Sequence, residues 1–395
     1  MNTFAIHAGS LFDGYSMAGP VTVYVTGDRI QRVDRSGELP AGGVEVIDLG
    51  PQACLLPGLI DSHVHLAFDA SLDPVASLAA TDDAALLDHM RTAAHSALQA
   101  GITTVRDLGD RNYLSVLLAE EFAAQPGAGP EILSAGPPLT VPGGHCHFLG
   151  GEVEGTDALR AAVREHHARG CAVIKIMASG GTMTPGSLPP HASQYSVEDL
   201  RAVVDEAHRL GLPVAAHAHG TQAILDALEA GVDSLEHVTF LTADGVNTDS
   251  DVLSAVAQSG TFVSLTVGVH PRPRVVTEPP KALVVQLEKI HANFRNLHKL
   301  GAKMVVGSDA GVVPFKPHDV LPYGVGALAK MGIAPLDALI SVTSTAARLC
   351  RLEGRKGRIA AGADADFLVV NGKPDQDVAA LLDVEAVFRA GVRVR

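Results

Sequence analysis

Two histidines stand two residues apart at the end of an apolar run, His63 and His65 in the stretch GLIDSHVHLAF. Because side chains at positions i and i+2 of a β-strand point the same way, the two imidazoles are expected to share one face. The residues LLPGLI before them are typical of a strand buried on both faces. One histidine there would usually be satisfied by a backbone carbonyl, whereas two together indicate a metal site. The HxH pattern alone is weak support for a metal site, so further ligands are sought in the rest of the chain.

Polar side chains also end several later apolar runs. They are Lys175 in AVIKIMASGG, His217 and His219 in PVAAHAHG, His237 in SLEHV, Asp309 in MVVGSDAG, and His145 and His147 in VPGGHCHFLGG. Each has a structural explanation by itself: the lysine could form a buried ion pair, a histidine could hydrogen-bond a loop, and the aspartate could cap a helix. Their joint occurrence at the ends of strand-like runs is harder to explain structurally and favours a catalytic site.

The composition restricts the classes of function. The chain has 395 residues, of which 47% are hydrophobic and 19% charged, enough for a large core. Its formal net charge is -14 without a basic block, which argues against nucleic acid or an anionic membrane surface as a partner. We recognise no signal peptide and no apolar run of about 18 residues, so a cytoplasmic protein is expected. The four cysteines form no CxxC pair, which indicates neither a disulfide framework nor a thiolate metal site.

Eight β-rich runs alternate with helix-like segments or long loops between residues 55 and 349. The runs are LLPGLIDSHVH, ITTVRDLG, EILSAG, AVIKIMASG, PVAAHAH, SLEHV, TFVSLTV and KMVVGSD. This alternation predicts an α/β fold, and eight such units favour a (β/α)8 TIM barrel over an open doubly wound sheet, which usually has fewer strands. One helix is clear, because Ser196 and Asp199 make a capping-box pattern and Gly211 follows its last turn. Catalytic side chains of such a barrel lie at the C-terminal ends of the strands, where the polar residues above occur.

The two ends of the chain have a different pattern. Residues 2–54 contain short β-like runs such as VTVYVTGDRIQRV, and GRIAAGADADFLVVNG near the C-terminus combines a β pattern with turn glycines. At about 50 residues each, these flanks are too small for independent cores, so they are expected to combine. We predict a small β domain from residues 1–57 with 350–395, and a barrel from residues 58–349.

The ordered set of motifs resembles the amidohydrolase superfamily. It consists of PGLIDSHVH, GITTVRDLG, IKIMASGG, AAHAHG, LEHV, GSDAG and the C-terminal GRIAAGADADFLVV, so the resemblance covers essentially the whole chain. It implies that the flanks form a β-sandwich beside the barrel. The stretches GGHCHFLGG and KIMASGG carry a narrower likeness to the imidazolonepropionase-related members that include metal-dependent Xaa-Pro and Xaa-Arg dipeptidases.

This resemblance implies two divalent metal ions. His63, His65 and Asp309 would bind the more buried ion. Lys175, carboxylated on Nζ to N6-carboxylysine, would bridge to the second ion, since a carbamate has two oxygens suited to ions about 3.5–4 Å apart. Histidine and oxygen ligands without a thiolate suit Zn²⁺ best and leave Mn²⁺, Co²⁺ and Fe²⁺ open.

The second ion would be held by His217 and His237. His217 and His219 compete for one ligand position because both point the same way on their strand, and the family's pattern matches the first. His145 resembles the family's histidine after the third strand, which faces the substrate. It would orient or polarise the scissile carbonyl.

The implied reaction is hydrolysis of an amide, peptide or related carbon–nitrogen bond in a dipeptide or N-acyl amino acid. A hydroxide that bridges the ions would attack, with Asp309 passing its proton to the leaving nitrogen. Three alternatives stay open. A lactonase or carbamate hydrolase would share every residue named, and a mononuclear deaminase or cyclic amidine or imide hydrolase would use a similar barrel, although Lys175 favours two metals. A non-catalytic scaffold would usually have lost ligands.

The loop after the seventh β-rich run has two arginines, Arg272 and Arg274 in HPRPR. They can be ordinary solvated residues, since arginine is abundant on surfaces. Alternatively, one of them binds a substrate carboxylate, because guanidinium pairs with carboxylate bidentately. With the dipeptidase resemblance, this predicts a small-molecule substrate whose leaving group has a free α-carboxylate. The family also leads us to expect a homo-oligomer.

Overall fold

The structure, a computed structural model, describes residues 3–40, 42–247, 249–271 and 281–395, without the side chains of residues 281–283. Its strands in chain order are β1 (Thr3–Ala8), β2 (Ser10–Phe12), β3 (Met17–Ala18), β4 (Val21–Thr26), β5 (Arg29–Asp34), β6 (Glu45–Asp48), β7 (Ala53–Pro57), β8 (Leu59–Val64), β9 (Ile102–Asp107), β10 (Glu131–Ser134), β11 (Ile174–Met177), β12 (Val214–Gly220), β13 (Ser234–Thr242), β14 (Gly245–Val246), β15 (Phe262–Thr266), β16 (Lys303–Gly307), β17 (Phe367–Asn371), β18 (Val384–Arg389) and β19 (Val392–Arg393).

The α-helices of the described ranges are α1 (Pro74–Ala80), α2 (Asp83–Gln99), α3 (Leu114–Ala124), α4 (Thr156–Ala168), α5 (Val197–Arg209), α6 (Thr221–Ala230), α7 (Ser250–Gln258), α8 (Lys281–Lys299), α9 (Leu321–Lys330), α10 (Pro335–Ser341) and α11 (Ser344–Leu349). Short 3₁₀ helices cover Pro126–Ala128, His147–Leu149 and Val378–Leu382. None of these helices combines the length and the apolar character needed to cross a membrane.

Parallel strands alternate with helices through the middle of the chain. Strands β10, β9 and β8 form one parallel sheet, and β11, β12, β13, β15 and β16 form the main path of another. Each of the eight β-rich runs overlaps one of these strands. Every residue of β8, β9 and β11 is buried, as expected for parallel strands covered on both faces. The predicted α/β class is confirmed.

Backbone hydrogen bonds also join the edges of these two sheets. Between β8 and β16, the N–H of Asp309 donates to the carbonyl of His63 at 2.7 Å, and the N–H of His65 donates to Ala310 at 3.1 Å. Between β10 and β11, the N–H of Ala172 donates to the carbonyl of Ser134 at 2.8 Å. The first and the last of the eight strands therefore end side by side.

Helix α5 shows how the sequence determines one of the covering helices. Ser196 Oγ accepts from the N–H of Asp199 at 3.1 Å and Asp199 Oδ2 accepts from the N–H of Ser196 at 3.3 Å, so the predicted capping box is confirmed. Such a cap contributes about 1 kcal/mol. The apolar face of the helix is buried through Leu200 and Val203, each worth roughly 1.5–3 kcal/mol of apolar burial. Gly211 follows the last turn with a φ of 79°.

The terminal segments build two further sheets. Residues before the parallel strands form a sheet of order β5-β4-β1-β6, and both ends of the chain contribute to a sheet of order β19-β18-β17-β7-β2-β3. A hydrophobic cluster separate from the main core fills the space between them, with Ile6 and Val23 from the N-terminal segment and Phe367 and Phe388 from the C-terminal one. Residues of both terminal segments therefore pack in one cluster.

A buried ionic network connects the C-terminal segment with the start of β10. Lys356 Nζ pairs with Asp366, with Asp364 at 3.0 Å and with Glu131 at 3.2 Å. Arg389 also pairs with Asp366, at 3.1 Å. Because the loss of one partner leaves a buried charge unpaired, such a network is sensitive to single substitutions.

Candidate metal centre and active site

Three side chains converge where the first and the last parallel strands end. His63 is on β8, His65 follows it, and Asp309 lies two residues beyond β16. The Nε2 atoms of the two histidines are 3.3 Å apart, and each is 3.6 Å from Asp309 Oδ1. Ligands of a tetrahedral ion with bonds of about 2.0–2.1 Å lie about 3.4 Å from one another, so the three atoms fit around one divalent ion.

The remaining ring nitrogens of these two histidines set their tautomers. His65 Nδ1 is 3.1 Å from the carbonyl oxygen of Gly109, which can only accept. His63 Nδ1 is 2.9 Å from Glu236 Oε2. Burial alone would raise the pKa of this glutamate, but the charge of Arg106 and the bond to His63 outweigh burial and hold its pKa well below its usual range. Both Nδ1 atoms therefore donate, and both Nε2 lone pairs face the triangle.

A second group of imidazoles lies on β12 and β13. His217 Nδ1 is 2.9 Å from His237 Nε2. His217 Nε2 donates to the carbonyl of Gly180 at 3.1 Å, which leaves Nδ1 with its lone pair, and His237 Nδ1 is 2.9 Å from Thr266 Oγ1. Burial holds the pKa of both rings well below the usual value, so they are neutral. The two facing nitrogens can share one proton or bind one cation.

His219 belongs to the same group. Its ligand atom lies within 4.8 Å of those of His217 and His237, and its ring stacks on that of His237 with centroids 4.5 Å apart. Its Nδ1 is 2.8 Å from Thr239 Oγ1. Because both histidines of β12 reach this group, the choice of His217 as the ligand stays a prediction.

Lys175 lies on β11, and its side chain lines the same cavity as the two histidine groups. It is 1% exposed, and its Nζ has no hydrogen-bond partner among the described residues. Burial lowers the pKa of Lys175 to about 8. Lys356 is also buried, but its amine is paired with carboxylates. An unpartnered buried amine is costly and indicates that a further group belongs at this position.

Both groups and Lys175 open into one cavity of about 250 Å³. Much of its remaining wall consists of Phe68, Met177, Thr182, Met183, Val312 and Val313. The lining therefore combines largely apolar side chains with the nitrogen and oxygen ligands, and the cavity can hold a small molecule that has both apolar and polar groups.

His145 also lines this cavity, on the loop after β10. Its ring centroid is 4.7 Å from that of His217, and its backbone N–H donates to Gln194 Oε1 at 2.8 Å. Burial lowers the pKa of His145 to about 4, so the ring is neutral. A Cβ at Gly181 would lie 2.3 Å from this ring, which explains the glycine there. His147 lies on a 3₁₀ helix and is not among the cavity residues.

Two ligand candidates have a backbone conformation that is unusual for their residue type. His237 has a φ of 72° and Asp309 a φ of 55°, in the left-handed region that favours glycine. Each such residue costs about 1–3 kcal/mol. The surrounding structure thus holds both side chains in place against local strain, as is common at functional sites.

Three charged residues near the site were not singled out from the sequence. Arg106 and Glu236 lie below the histidines on β9 and β13 and are 2.8 Å apart. Lys316, in the loop after β16, lines the cavity and donates to the carbonyls of Thr266 and Ser308 at 2.9 Å each. The sequence signal for the first two was a charged residue inside a strand-like run, Arg106 in ITTVRDLG and Glu236 in SLEHV. The predicted substrate residues Arg272 and Arg274 lie outside the described residues.

Comparison with known proteins agrees with this geometry. The model of the amidohydrolase family matches residues 54–394. The ochratoxinase of Aspergillus niger is 28% identical over 367 residues, covering 84% of this chain and 73% of that enzyme. The imidazolonepropionase of Rubrobacter xylanophilus is 26% identical over 404 residues, covering 91% of this chain and 86% of that enzyme.

Among solved structures, a Xaa-Pro dipeptidase with methionine bound in its active site is similar over nearly the whole length. Its TM-score is 0.86 at 27% identity, with 99% of each chain covered. Similarity over this length implies a TIM-barrel-type α/β fold.

Proposed function

The chain belongs to the amidohydrolase family and is a hydrolase acting on amide bonds, and from that premise we propose a binuclear metal-dependent enzyme. One observation carries the proposal. Two groups of ligand atoms, His63 with His65 and Asp309, and His217 with His237, open into one cavity together with the unpartnered amine of Lys175. These imidazole, carboxylate and amine groups from separate strands would have no structural reason to converge in one cavity.

The family generally uses divalent metals, and the residues fit them. His63, His65 and Asp309 would hold one ion, and His217 and His237 would hold the other. The tautomers support this assignment, because His63 and His65 turn Nε2 toward Asp309 and His217 turns Nδ1 toward His237. We propose Zn²⁺ for both positions. Such ions supply Lewis acidity and make a water-derived nucleophile available near neutral pH.

Lys175 would contribute as N6-carboxylysine. Its neutral amine adds to carbon dioxide, forming an N–C bond and releasing one proton, and the product is a carbamate with one negative charge. The pKa of about 8 makes a substantial neutral fraction available near neutral pH. The carbamate oxygens would then serve as ligands for the metal ions, which removes the cost of a buried amine without a partner.

Two side chains would transfer the proton and bind the substrate carbonyl. The Asp309 carboxylate lines the cavity and would accept a proton from the attacking water and return it to the leaving nitrogen. His145, neutral and facing the same cavity, would donate a hydrogen bond to the carbonyl oxygen as charge develops on it.

For the substrate, we propose a dipeptide or an N-acyl amino acid. The apolar wall that includes Phe68, Met183 and Val312 suits a hydrophobic acyl or side-chain group. Relatives whose names indicate a Xaa-Pro dipeptidase and an ochratoxinase support a small amide. The test is a panel of dipeptides, N-acyl amino acids, lactones and carbamates on metal-loaded enzyme. Preferential cleavage of the lactone or the carbamate would replace this proposal by one of those activities.

We also infer that the two parallel sheets close into a (β/α)8 barrel covering residues 58–349, beside a β-sandwich of residues 1–57 with 350–395. The hydrogen bonds that join the sheet edges and the separate core of the flanks support this division. We further propose a homo-oligomer located in the cytoplasm. Light scattering on the purified chain tests the first of these, and a monomer would contradict it.

If Arg272 or Arg274 binds a substrate α-carboxylate bidentately, replacing that arginine should lower kcat/KM for substrates that have this carboxylate. Hydrogen bonds to charged groups contribute about 1.5–3 kcal/mol, so alanine at the responsible arginine should lower kcat/KM by about 10- to 100-fold. The C-terminal amide of the same substrate should be a poor substrate for the wild type and should be little affected by either variant. Steady-state kinetics on both substrates measures this, with Arg169→Ala on the exposed end of α4 as the control. Equal wild-type rates on acid and amide would contradict the contact.

A further inference from the structure

A buried chain of polar side chains leads from Arg106 to the proposed metal centre. Arg106 is 1% exposed and donates from Nε to the carbonyl of Ser62 at 2.7 Å, from one terminal nitrogen to Ser234 Oγ at 3.2 Å, and from the other to Glu236 Oε1 at 2.8 Å. Ser234 Oγ donates to the same Oε1 at 2.6 Å. These contacts connect strands β8, β9 and β13 inside the fold.

Glu236 is held in one orientation by these donors. Its carboxylate is fully buried, and Oε1 receives both the guanidinium and the serine hydroxyl. Oε2 is thereby turned to His63 Nδ1 at 2.9 Å. A carboxylate can only accept, so this contact requires the proton of His63 on Nδ1.

We propose that Glu236, fixed by Arg106 and Ser234, is the positioning residue that holds His63 with the Nε2 lone pair toward His65 and Asp309. Glu236 does not touch the substrate and acts only through His63. This inference rests on the metal-dependent function proposed above and adds a determinant of metal affinity to it.

The stability of the fold does not explain why Arg106 and Glu236 form a buried ion pair. A buried ion pair is often no more stabilising than apolar residues of similar volume. Arg106 and Glu236 could therefore be replaced by apolar residues if their only task were to fill the interior. Glu236 Oε2 points toward His63, a candidate metal ligand, and not toward a backbone group. This contact gives a reason for a charged residue at position 236. Carboxylates that hold a metal-binding histidine typically change metal affinity by about 10- to 100-fold when they are removed.

The test is Zn²⁺ binding to the metal-free full-length chain, measured by chelator competition. Glu236→Gln keeps the shape of the side chain but removes its charge, and an amide can donate as well as accept a hydrogen bond, so it no longer fixes the proton of His63 on Nδ1. In this variant, the tighter of the two Zn²⁺ sites should bind about 10- to 100-fold more weakly than in the wild type. Asp366→Asn is the matched control, since it also removes a buried carboxylate from an ion pair, but one that is paired with Lys356 and Arg389 and not with a histidine. It should keep wild-type affinity. Unchanged affinity in Glu236→Gln, or an equal loss in both variants, would overturn the proposal.

A second measurement does not depend on any Glu236 variant being folded. Nitrogen NMR of the metal-free wild type with labelled histidine reports the tautomer of each ring, and the signal missing in His63→Ala identifies His63. We expect the Nδ1–H tautomer for His63, and the Nε2–H tautomer would overturn the inference. If the wild type binds no Zn²⁺, the proposed function fails. The tautomer of His63 in the metal-free protein would still test whether Glu236 sets the orientation of His63.

Discussion

Lys175→Ala is expected to lose nearly all hydrolytic activity while the protein still folds. The variant removes the one side chain proposed to bind both ions, together with a buried amine that has no partner among the described residues. A loss of about 4 kcal/mol of transition-state stabilisation corresponds to about a thousandfold in rate. The folded structure should persist, because the amine itself makes no hydrogen bond that is lost. Turnover and metal content of the purified variant measure the effect.

Small acids and a second lysine provide the controls for this variant. Short carboxylic acids such as formate or acetate should partly restore turnover in Lys175→Ala, because they replace the carboxylate of the carbamate. Lys356→Met removes another buried lysine, one that is paired with Asp366 and Glu131. It should lower stability without lowering metal content. Full activity in Lys175→Ala would mean that the lysine is structural and the site mononuclear.

Asp309→Asn is expected to reduce kcat by about 10²- to 10⁴-fold with a smaller change in KM. Asparagine has the same size and can still act as a weak ligand, but it cannot accept and return a proton. The rate should therefore show the loss of general acid–base catalysis, with the kinetic pattern of an interaction made in the transition state. Steady-state kinetics on the best substrate of the panel measures both constants.

Asp110→Asn is the matched control for Asp309→Asn. Asp110 is fully buried, and burial raises its pKa, so the neutral asparagine replaces a carboxyl group whose charged form is disfavoured. Its Oδ2 accepts from the N–H of Ser115, and an amide oxygen can do the same. This variant should be close to the wild type in kcat. An unchanged kcat in Asp309→Asn would move the proton-transfer role elsewhere, with His145 as the next candidate.

The grouping of the site residues followed from strand geometry. His63 and His65 share a face because a strand repeats every two residues. Lys175, His237 and Asp309 are far apart in sequence, but the α/β alternation predicted that their strands would end at one edge, and the structure brings them into one cavity. Their roles as ligands stay predictions. The flanks were predicted to combine into one small domain because neither is large enough alone, and this division stays a prediction.

Other features of the site depend on tertiary contacts, which the pattern of strands in the sequence does not contain. The same two-residue repeat that pairs His63 with His65 also leaves His217 and His219 equivalent, so only local contacts such as those to Gly180 and Thr239 distinguish them. The bond from Arg106 to Glu236 joins strands that are not neighbours in a sheet, and sequence gives no register for such a pair. Lys316 reaches the site through a loop, whose path depends on tertiary contacts.

The most direct test of the central claim is a metal titration of the hydrolase. Chelated and dialysed enzyme is titrated with Zn²⁺, and bound metal per chain is determined by elemental analysis alongside turnover of the best substrate. We expect the metal-free enzyme to be inactive, and activity to rise until two ions are bound per chain and then level off. Full activity in a sample without any transition metal would contradict metal-dependent hydrolysis, and a maximum reached with one bound ion would contradict the binuclear site.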